Sequence, residues 1–148
     1  MWYYILMLAQ VTGAEILNLL DDPELAQEAA SLFFREFQDD PDPEPEELER
    51  MLNAMEHRIT VIARDDGGEI LAVGGLEYDG DKGEIVDVAT SSDNRKQGLG
   101  RSVIGLLERI ARDKGIKELS LFSFTSTRAF YDKLGYQEIS PYSYTKFL

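Results

Sequence analysis

The chain has 148 residues, enough for one domain with one sizeable hydrophobic core and too few for two, so residues 1–148 are expected to form a single domain. Its net charge of -13, from 28 acidic and 15 basic side chains, disfavours nucleic acid as a partner and favours cations. The absence of cysteine excludes disulfides, thiolate metal sites and an acyl-cysteine intermediate.

The first twenty residues are predicted to form two strands. Residues 2–9 are apolar and aromatic, and Thr12-Gly13 is a turn signal before a second apolar run at residues 14–20. The first run is far too short to span a bilayer and lacks the basic flank and cleavage site of a signal peptide. We therefore expect no membrane partner and a cytoplasmic location.

Two helices are predicted next, separated by an acidic segment. Asp21 or Asp22 is expected to cap a helix that starts at Pro23 and ends near Phe37. Residues 39–49 carry seven acidic residues and three prolines, which predicts an exposed loop before a second helix at about residues 46–56. The predicted buried stripe of the first helix consists of Leu25, Ala29, Leu32, Phe33 and Phe37.

The second half alternates between strands and helices. Residues 59–63 and 70–78 are predicted to form a hairpin, and Gly74-Gly75 indicates a bulge or a close backbone approach. Later strands are expected at residues 84–90, 118–124 and 136–140, with residues 142–147 as an extension of the last one. With helices after residue 98 and at 126–134, this order predicts a mixed α+β sheet.

The segment from Glu84 to Arg112 reads as a strand, a polar loop and an amphipathic helix. Gly98 and Gly100 lie where the loop becomes the helix, a place where free backbone N–H groups and the helix dipole attract anions. Arg95, Lys96 and Arg101 add positive charge. The alternative is that these glycines serve chain geometry alone.

The pattern Arg95-x-x-Gly98-x-Gly100 after a strand, followed by the run from Ala129 to Tyr136, resembles the GNAT superfamily of acetyl-CoA-dependent N-acetyltransferases. The resemblance implies a mostly antiparallel GNAT-like sheet, acetyl-CoA as co-substrate and direct attack by a primary amine. Residues implied to hold the coenzyme pyrophosphate are Arg95, Lys96, Gln97, Gly98, Leu99, Gly100, Arg101 and Ser102. Pantetheine is implied to lie along Val88, Ala89 and Thr90, where family members have a splayed or bulged strand.

Two residues match catalytic positions of that family. Glu84 matches in register the strand glutamate that acts as general base, and Tyr131 matches the tyrosine that protonates the coenzyme thiolate. Asp87 is the rival base, although strand alternation places it on the opposite face from Glu84. Each also has a plainer reading, Glu84 as a surface carboxylate and Tyr131 as a packing aromatic. The family asparagine before the tyrosine helix is replaced here by a Thr-Ser-Thr run at residues 125–127.

The acceptor is implied to be a cationic amine, small molecule or peptide, because the acidic loop matches a segment that borders the acceptor site in the family. The plainer reading of residues 39–49 is a solvated face. No metal is expected with His57 as the single histidine. A coenzyme A-binding regulatory module without turnover is the competing function, and the exact acceptor, a longer acyl donor and a homodimer stay open.

Overall fold

The computed structural model describes residues 14–17, 21–92, 98–123 and 127–148. From the first helix to the strand after the last helix, the elements follow the order that the sequence predicts. They are β1 (Glu15–Ile16), α1 (Pro23–Phe37), α2 (Pro45–Glu56), β2 (Ile59–Arg64), β3 (Ile70–Asp79), β4 (Lys82–Thr90), α3 (Leu99–Asp113), β5 (Glu118–Phe122), α4 (Arg128–Lys133), β6 (Gln137–Ser140) and β7 (Ser143–Phe147).

The seven strands of the described residues form one sheet in the order β1-β2-β3-β4-β5-β7-β6. Only β4 and β5 pair in parallel, because α3 connects them as a crossover; the other pairs are antiparallel. The predicted α+β class with a mixed, mostly antiparallel sheet and flanking helices is thereby confirmed.

Helices cover both faces of the sheet. On one face the apolar stripe of α3, including Val103 and Leu107, packs against Leu76 and Ile85. On the other face α1 and α2 pack against Ile62, Val73 and Ala89 in a second buried cluster. Burying both faces of the central strands supplies the main hydrophobic stabilisation of the fold.

The first helix begins and ends where the sequence predicts. The backbone N–H of Leu25 donates to Asp22 Oδ1 at 3.0 Å, and Pro23 occupies the first turn, where its missing N–H leaves no bond unmade. The predicted buried stripe is wrong at Phe37, whose side chain is 50% exposed at the last turn of α1 and stacks on Phe33.

The prediction for residues 142–147 is wrong. These residues do not extend the preceding strand; they form β7, which turns back and lies between β5 and β6. Tyr142 makes that reversal possible with a φ of +72°, a conformation that its residue type does not announce. At the other end, Glu15 and Ile16 form the short strand β1, whereas the predicted strand at residues 2–9 lies outside the described residues.

The pairing of β3 with β4 contains a bulge that positions the functional site. Val73 pairs with Ala89 and Gly75 pairs with Val86, so the single residue Gly74 faces two residues of β4. An extra residue on one strand bends it and changes the direction of its side chains. The sequence predicted a bulge or a close approach within the glycine strand itself; the extra residue is instead on the partner strand β4, whereas both glycines are sites of close approach.

Candidate functional site

A cavity of about 600 Å³ opens where the end of β4, the first turn of α3 and helix α4 meet. Eight of the predicted site residues line it together, although they come from distant parts of the sequence. They are Val88, Ala89, Thr90, Gly98, Leu99, Gly100, Arg101 and Tyr131. Four further residues also line it: Glu36, Phe37, Thr127 and Phe130. The fold thus gathers one strand end and one helix start around a shared space.

The first turn of α3 is suited to an anion. Gly98 is its N-cap, with a φ of +77°, and no side-chain cap is found among the described residues. The backbone N–H groups of a helix's first turn have no partner within the helix, and the helix dipole there favours negative charge. Arg101 is exposed at the same end and lines the cavity. The predicted contacts Arg95, Lys96 and Gln97 lie outside the described residues.

Ser102 has a structural role at this helix start. The Ser102 hydroxyl donates to the Gly98 carbonyl oxygen at 3.0 Å, so it closes the first turn and does not line the cavity. A Cβ on Gly100 would lie 3.4 Å from Thr90 Oγ1 and 3.7 Å from Phe130 Cζ. These are ordinary van der Waals distances, so packing against β4 and α4 does not by itself require glycine at this position.

The edge of β4 that faces β5 is open beside the cavity. The two strands pair in parallel from Lys82 to Ile85, and among the described residues β5 gives no partner to Val86–Thr90. Beyond Ile85 the two strands therefore diverge. An extended ligand that enters this gap meets unpaired backbone groups of β4, as an added strand would.

Asp87 lies in the bulge with a φ of +54°, in the left-handed region. Its Oδ2 accepts a hydrogen bond of 2.6 Å from Nη1 of Arg58. The Arg58 side chain crosses Gly75, which pairs with Val86 of β4, and also lies 3.9 Å from Glu77.

This ion pair corrects the predicted orientation of Asp87. Glu77 is the cross-strand partner of Glu84, so both side chains are on the same face of the sheet. Because Asp87 binds the same guanidinium as Glu77, its carboxylate also lies on that face. Simple alternation put Asp87 on the opposite face and was wrong, since the bulge adds one residue.

Glu84 is exposed and lies directly across from Glu77 on β3. It is not among the residues that line the cavity. Glu84 therefore shares β4 with Val88, but its side chain faces solvent on the side of the sheet that α1 and α2 cover. Any proton transfer from the cavity to Glu84 would need a bridging water.

Tyr131 is buried in the wall of the cavity. Its ring packs edge-on against Phe130 and Tyr136, with centroid separations of 5.0 and 5.9 Å. Burial raises the pKa of the Tyr131 phenol, and a hydrogen bond with Ser123 partly opposes that rise. The phenol is thus protonated at neutral pH and able to donate a proton.

Hydroxyl groups stand where the family asparagine was expected. The Ser123 and Thr127 hydroxyls lie 2.5 Å apart, and Thr127 lines the cavity. Residues 125 and 126 of the Thr-Ser-Thr run lie outside the described residues. A hydroxyl pair therefore connects the cavity wall to the neighbourhood of the Tyr131 phenol.

The seven carboxylates of residues 39–49 do not line the cavity. The acidic segment begins two residues after Phe37, and the Asp40 N–H donates back to the Phe34 carbonyl oxygen at 2.9 Å at the end of α1. Glu36 is the acidic side chain that lines the cavity. Within the described ranges, no group of three His, Cys, Asp or Glu side chains could hold a metal ion, and no helix is long and apolar enough to cross a membrane.

Sequence reasoning missed Phe37, Phe130 and Arg58. Phe37 had been assigned to the core because helical periodicity cannot show that α1 extends beyond its packing surface. Arg58 gave no local signal, since its partner Asp87 is 29 residues away. Phe130 stood beside Tyr131 inside the recognised run at residues 129–136, and that adjacency was the signal available in the sequence.

Comparisons with known proteins agree with this geometry. The model of the acetyltransferase (GNAT) family matches residues 23–136, more than three quarters of the chain. A Bacillus subtilis (strain 168) protein whose name provisionally assigns it as an acetyltransferase is 36% identical over 61 residues. That match covers 41% of this chain and 42% of that protein, so it spans less than half of either.

Two solved structures have a similar fold. An aminoglycoside 6'-N-acetyltransferase complexed with coenzyme A superimposes with a TM-score of 0.76 at 17% identity, covering 90% of this chain and 96% of that one. A PaiA N-acetyltransferase from Thermoplasma acidophilum, in complex with coenzyme A, gives a TM-score of 0.64 at 17% identity, with 91% and 99% covered.

Proposed function

Because the chain belongs to the acetyltransferase (GNAT) family, we propose that it transfers an acetyl group from acetyl-CoA to a primary amine by direct attack. The observation that carries the proposal is the cavity in which the start of α3 meets the open, bulged edge of β4. One end suits a pyrophosphate, and the other suits an extended pantetheine chain. We further propose that residues 1–148 form one GNAT-like domain.

The pyrophosphate is assigned to the first turn of α3. Gly98 and Gly100 carry no side chain that would keep phosphate oxygens from the backbone, and Arg101 supplies positive charge beside them. The neighbouring Arg95, Lys96 and Gln97 are assigned to the same role from the family pattern. This local positive charge offsets the unfavourable field of a chain with a net charge of -13.

Pantetheine is assigned to the open edge of β4 along Val88, Ala89 and Thr90. Backbone groups there can bond the two amides of pantetheine in the manner of an added strand. The bulge at Asp87 and Val88 turns the strand so that a backbone N–H near Val88 is available to the thioester carbonyl. A donor at that oxygen stabilises the negative charge that develops during attack.

Tyr131 is assigned as the general acid for the coenzyme thiolate. Its phenol is buried in the cavity wall, and the raised pKa keeps it protonated until the thiolate forms. The Ser123 and Thr127 hydroxyls hold this part of the wall together. The phenol proton moves to sulfur as the carbon–sulfur bond breaks.

Glu84 is assigned as the general base that takes a proton from the acceptor ammonium, through water. Support comes from its exposure and from its position on the strand that carries the thioester. Asp87 is the less suitable candidate, because its Oδ2 is bonded to the buried Arg58 guanidinium. A carboxylate held in that pair does not stand free to receive a substrate proton.

The acceptor is proposed to be a cationic amine. The acidic segment 39–49 follows directly on α1, whose last turn lines the cavity at Glu36 and Phe37. A negative surface beside the cavity raises the local concentration of ammonium groups. One fold neighbour acts on aminoglycosides by name, and these are amine-rich acceptors.

An assay of coenzyme A thiol release with a panel of amines tests the proposal. Polyamines, aminoglycosides and lysine-like amines should release thiol faster than glutamate or aspartate, and mass spectrometry should find the acetylated amine. Binding of acetyl-CoA without release with any amine would favour the coenzyme-binding regulatory module. Absence of acetyl-CoA binding would exclude both functions.

A further inference from the structure

The bulge in β4 depends on an unusual residue choice. Asp87 is held at a φ of +54°, a region that residues with a Cβ adopt at a cost, although aspartate tolerates it better than most. Glycine would occupy this position without strain. A contact from outside β4 therefore has to offset the cost of the positive φ at Asp87.

Arg58 supplies that compensation. Its side chain is only 3% exposed, and Nη1 donates to Asp87 Oδ2 at 2.6 Å. The guanidinium approaches Met51 of α2 on one side at 3.9 Å and crosses the backbone of β3 on the other. A buried charge with one close partner holds that partner firmly, because separating them leaves the charge uncompensated.

Gly75 makes room for this arrangement. A Cβ at that position would lie 2.7 Å from Arg58 Nε, closer than real contacts permit, and 3.0 Å from Cδ, a very tight contact. Gly75 also pairs with Val86, the last residue of β4 before the bulge. The Arg58 side chain therefore lies over the point where the register between β3 and β4 changes.

Stability alone does not explain why an arginine is buried at position 58. Nε is buried and has no hydrogen-bond partner within the described part of the chain. A buried polar group without a partner is destabilising, and an apolar side chain in place of a buried ion pair is often as stable or more stable. A role in fixing the local backbone conformation accounts for the arginine better.

We propose that Arg58 is a positioning residue, which holds Asp87 in the left-handed conformation and so orients Val88–Thr90 toward the donor thioester. The inference rests on the proposed function for its catalytic consequence. Arg58 does not line the cavity; it acts through Asp87. The residues it orients are three that do line the cavity.

The test compares Arg58→Met with the double variant Arg58→Met/Asp87→Gly. Methionine fills the buried space without charge, and Asp87 should then leave the left-handed region. The kcat/KM for acetyl-CoA should fall by about 10²-fold, the scale for displacing a reacting group by about 1 Å. Glycine at position 87 adopts the positive φ freely, so the double variant should recover most of the loss.

Conformation is measured independently of activity by NMR. A positive φ brings the amide and α protons of Asp87 together, so wild type should show a strong intraresidue NOE that Arg58→Met loses. The Ala89 and Thr90 amide shifts should move in Arg58→Met and return in the double variant. Ile116→Val, a buried change beyond the C-terminal end of α3, controls for mild destabilisation and should leave both signals unchanged.

A folded Arg58→Met protein with the strong Asp87 NOE and wild-type kcat/KM would overturn the inference. So would a folded double variant whose amide shifts stay displaced. If Arg58→Met does not fold, Gly75→Ala keeps both charges but pushes the guanidinium aside, and the same NOE should weaken. If wild type releases no thiol with any amine, the proposed function fails, whereas the NMR result still decides the role of Arg58.

Discussion

Replacing Gly98 by alanine tests the phosphate site, and Gly115 provides a matched control. The two glycines have φ values of +77° and +79°, and at both the space that a Cβ would fill contains no atom of the described residues within 4 Å. Gly98 starts α3 in the cavity, whereas Gly115 follows the C-terminal end of the same helix and does not line the cavity. The two substitutions therefore impose the same backbone strain at opposite ends of one helix.

The expected loss of stability is the same for both variants. Left-handed backbone costs a residue with a Cβ about 1–2 kcal/mol. With an unfolding entropy of about 2.1 cal/mol/K per residue over 148 residues, Tm should fall by about 3–6 °C in each. Calorimetric unfolding of the two variants beside wild type measures this shift.

Only Gly98→Ala should weaken coenzyme binding. Its methyl group would occupy the space assigned to the pyrophosphate, and acetyl-CoA affinity should fall tenfold or more, which corresponds to about 1.4 kcal/mol. Isothermal titration at a temperature where calorimetry shows both variants to be folded gives the two dissociation constants. Wild-type affinity in both variants would place the pyrophosphate elsewhere, whereas an equal loss of affinity in both would trace the effect to stability.

Four further predictions concern chemistry and charge. Tyr131→Phe should lower kcat by about 10²-fold with little change in KM for acetyl-CoA, and unchanged steady-state kcat would assign the proton to another donor. Glu84→Gln should remove the limb of the pH–rate profile that reports amine deprotonation; an unaltered profile would exclude Glu84 as base. Added salt should raise KM for a cationic amine while leaving or lowering KM for acetyl-CoA, and an amine KM indifferent to ionic strength would make residues 39–49 a solvated face. Burial raises the pKa of Tyr131 and of Tyr136, so above about pH 10 the unfolded chain loses phenol protons before the folded chain does. The free energy of unfolding should therefore fall there by about 1.4 kcal/mol per pH unit per phenol, and less steeply in Tyr131→Phe. Denaturant titrations at pH 9–11 would measure both slopes.

Local signals were sufficient for most of the secondary structure. Asp22 with Pro23 defines the start of α1, and the alternation of residues 59–78 defines the β2–β3 hairpin, because caps and turns are determined by neighbouring residues. The strand β7 was mistaken for an extension because its reversal depends on Tyr142 at positive φ, and tyrosine is not a residue that favours such a turn.

The site could be predicted only as far as its motifs extend. The glycine loop and the Tyr131 segment carry their own patterns, and both meet at the cavity. The orientation of Asp87 could not be predicted, because one extra residue in a bulge reverses every later side chain on a strand. Arg58 was invisible for a different reason: an ion pair across 29 residues leaves no periodicity in the sequence.

The two adjacent glycines of β3 connect both ends of the proposed donor site. A Cβ on Gly74 would lie 2.6 Å from Val103 Cγ1, so its absence lets α3 pack directly on the sheet. On the opposite face, Gly75 leaves space for Arg58 and hence for the bulge. The close packing of α3 determines where its first turn lies, and the bulge determines how Val88–Thr90 face the cavity. Because consecutive residues of a strand point to opposite faces, this one dipeptide makes room on both faces of β3, for α3 on one and for Arg58 on the other.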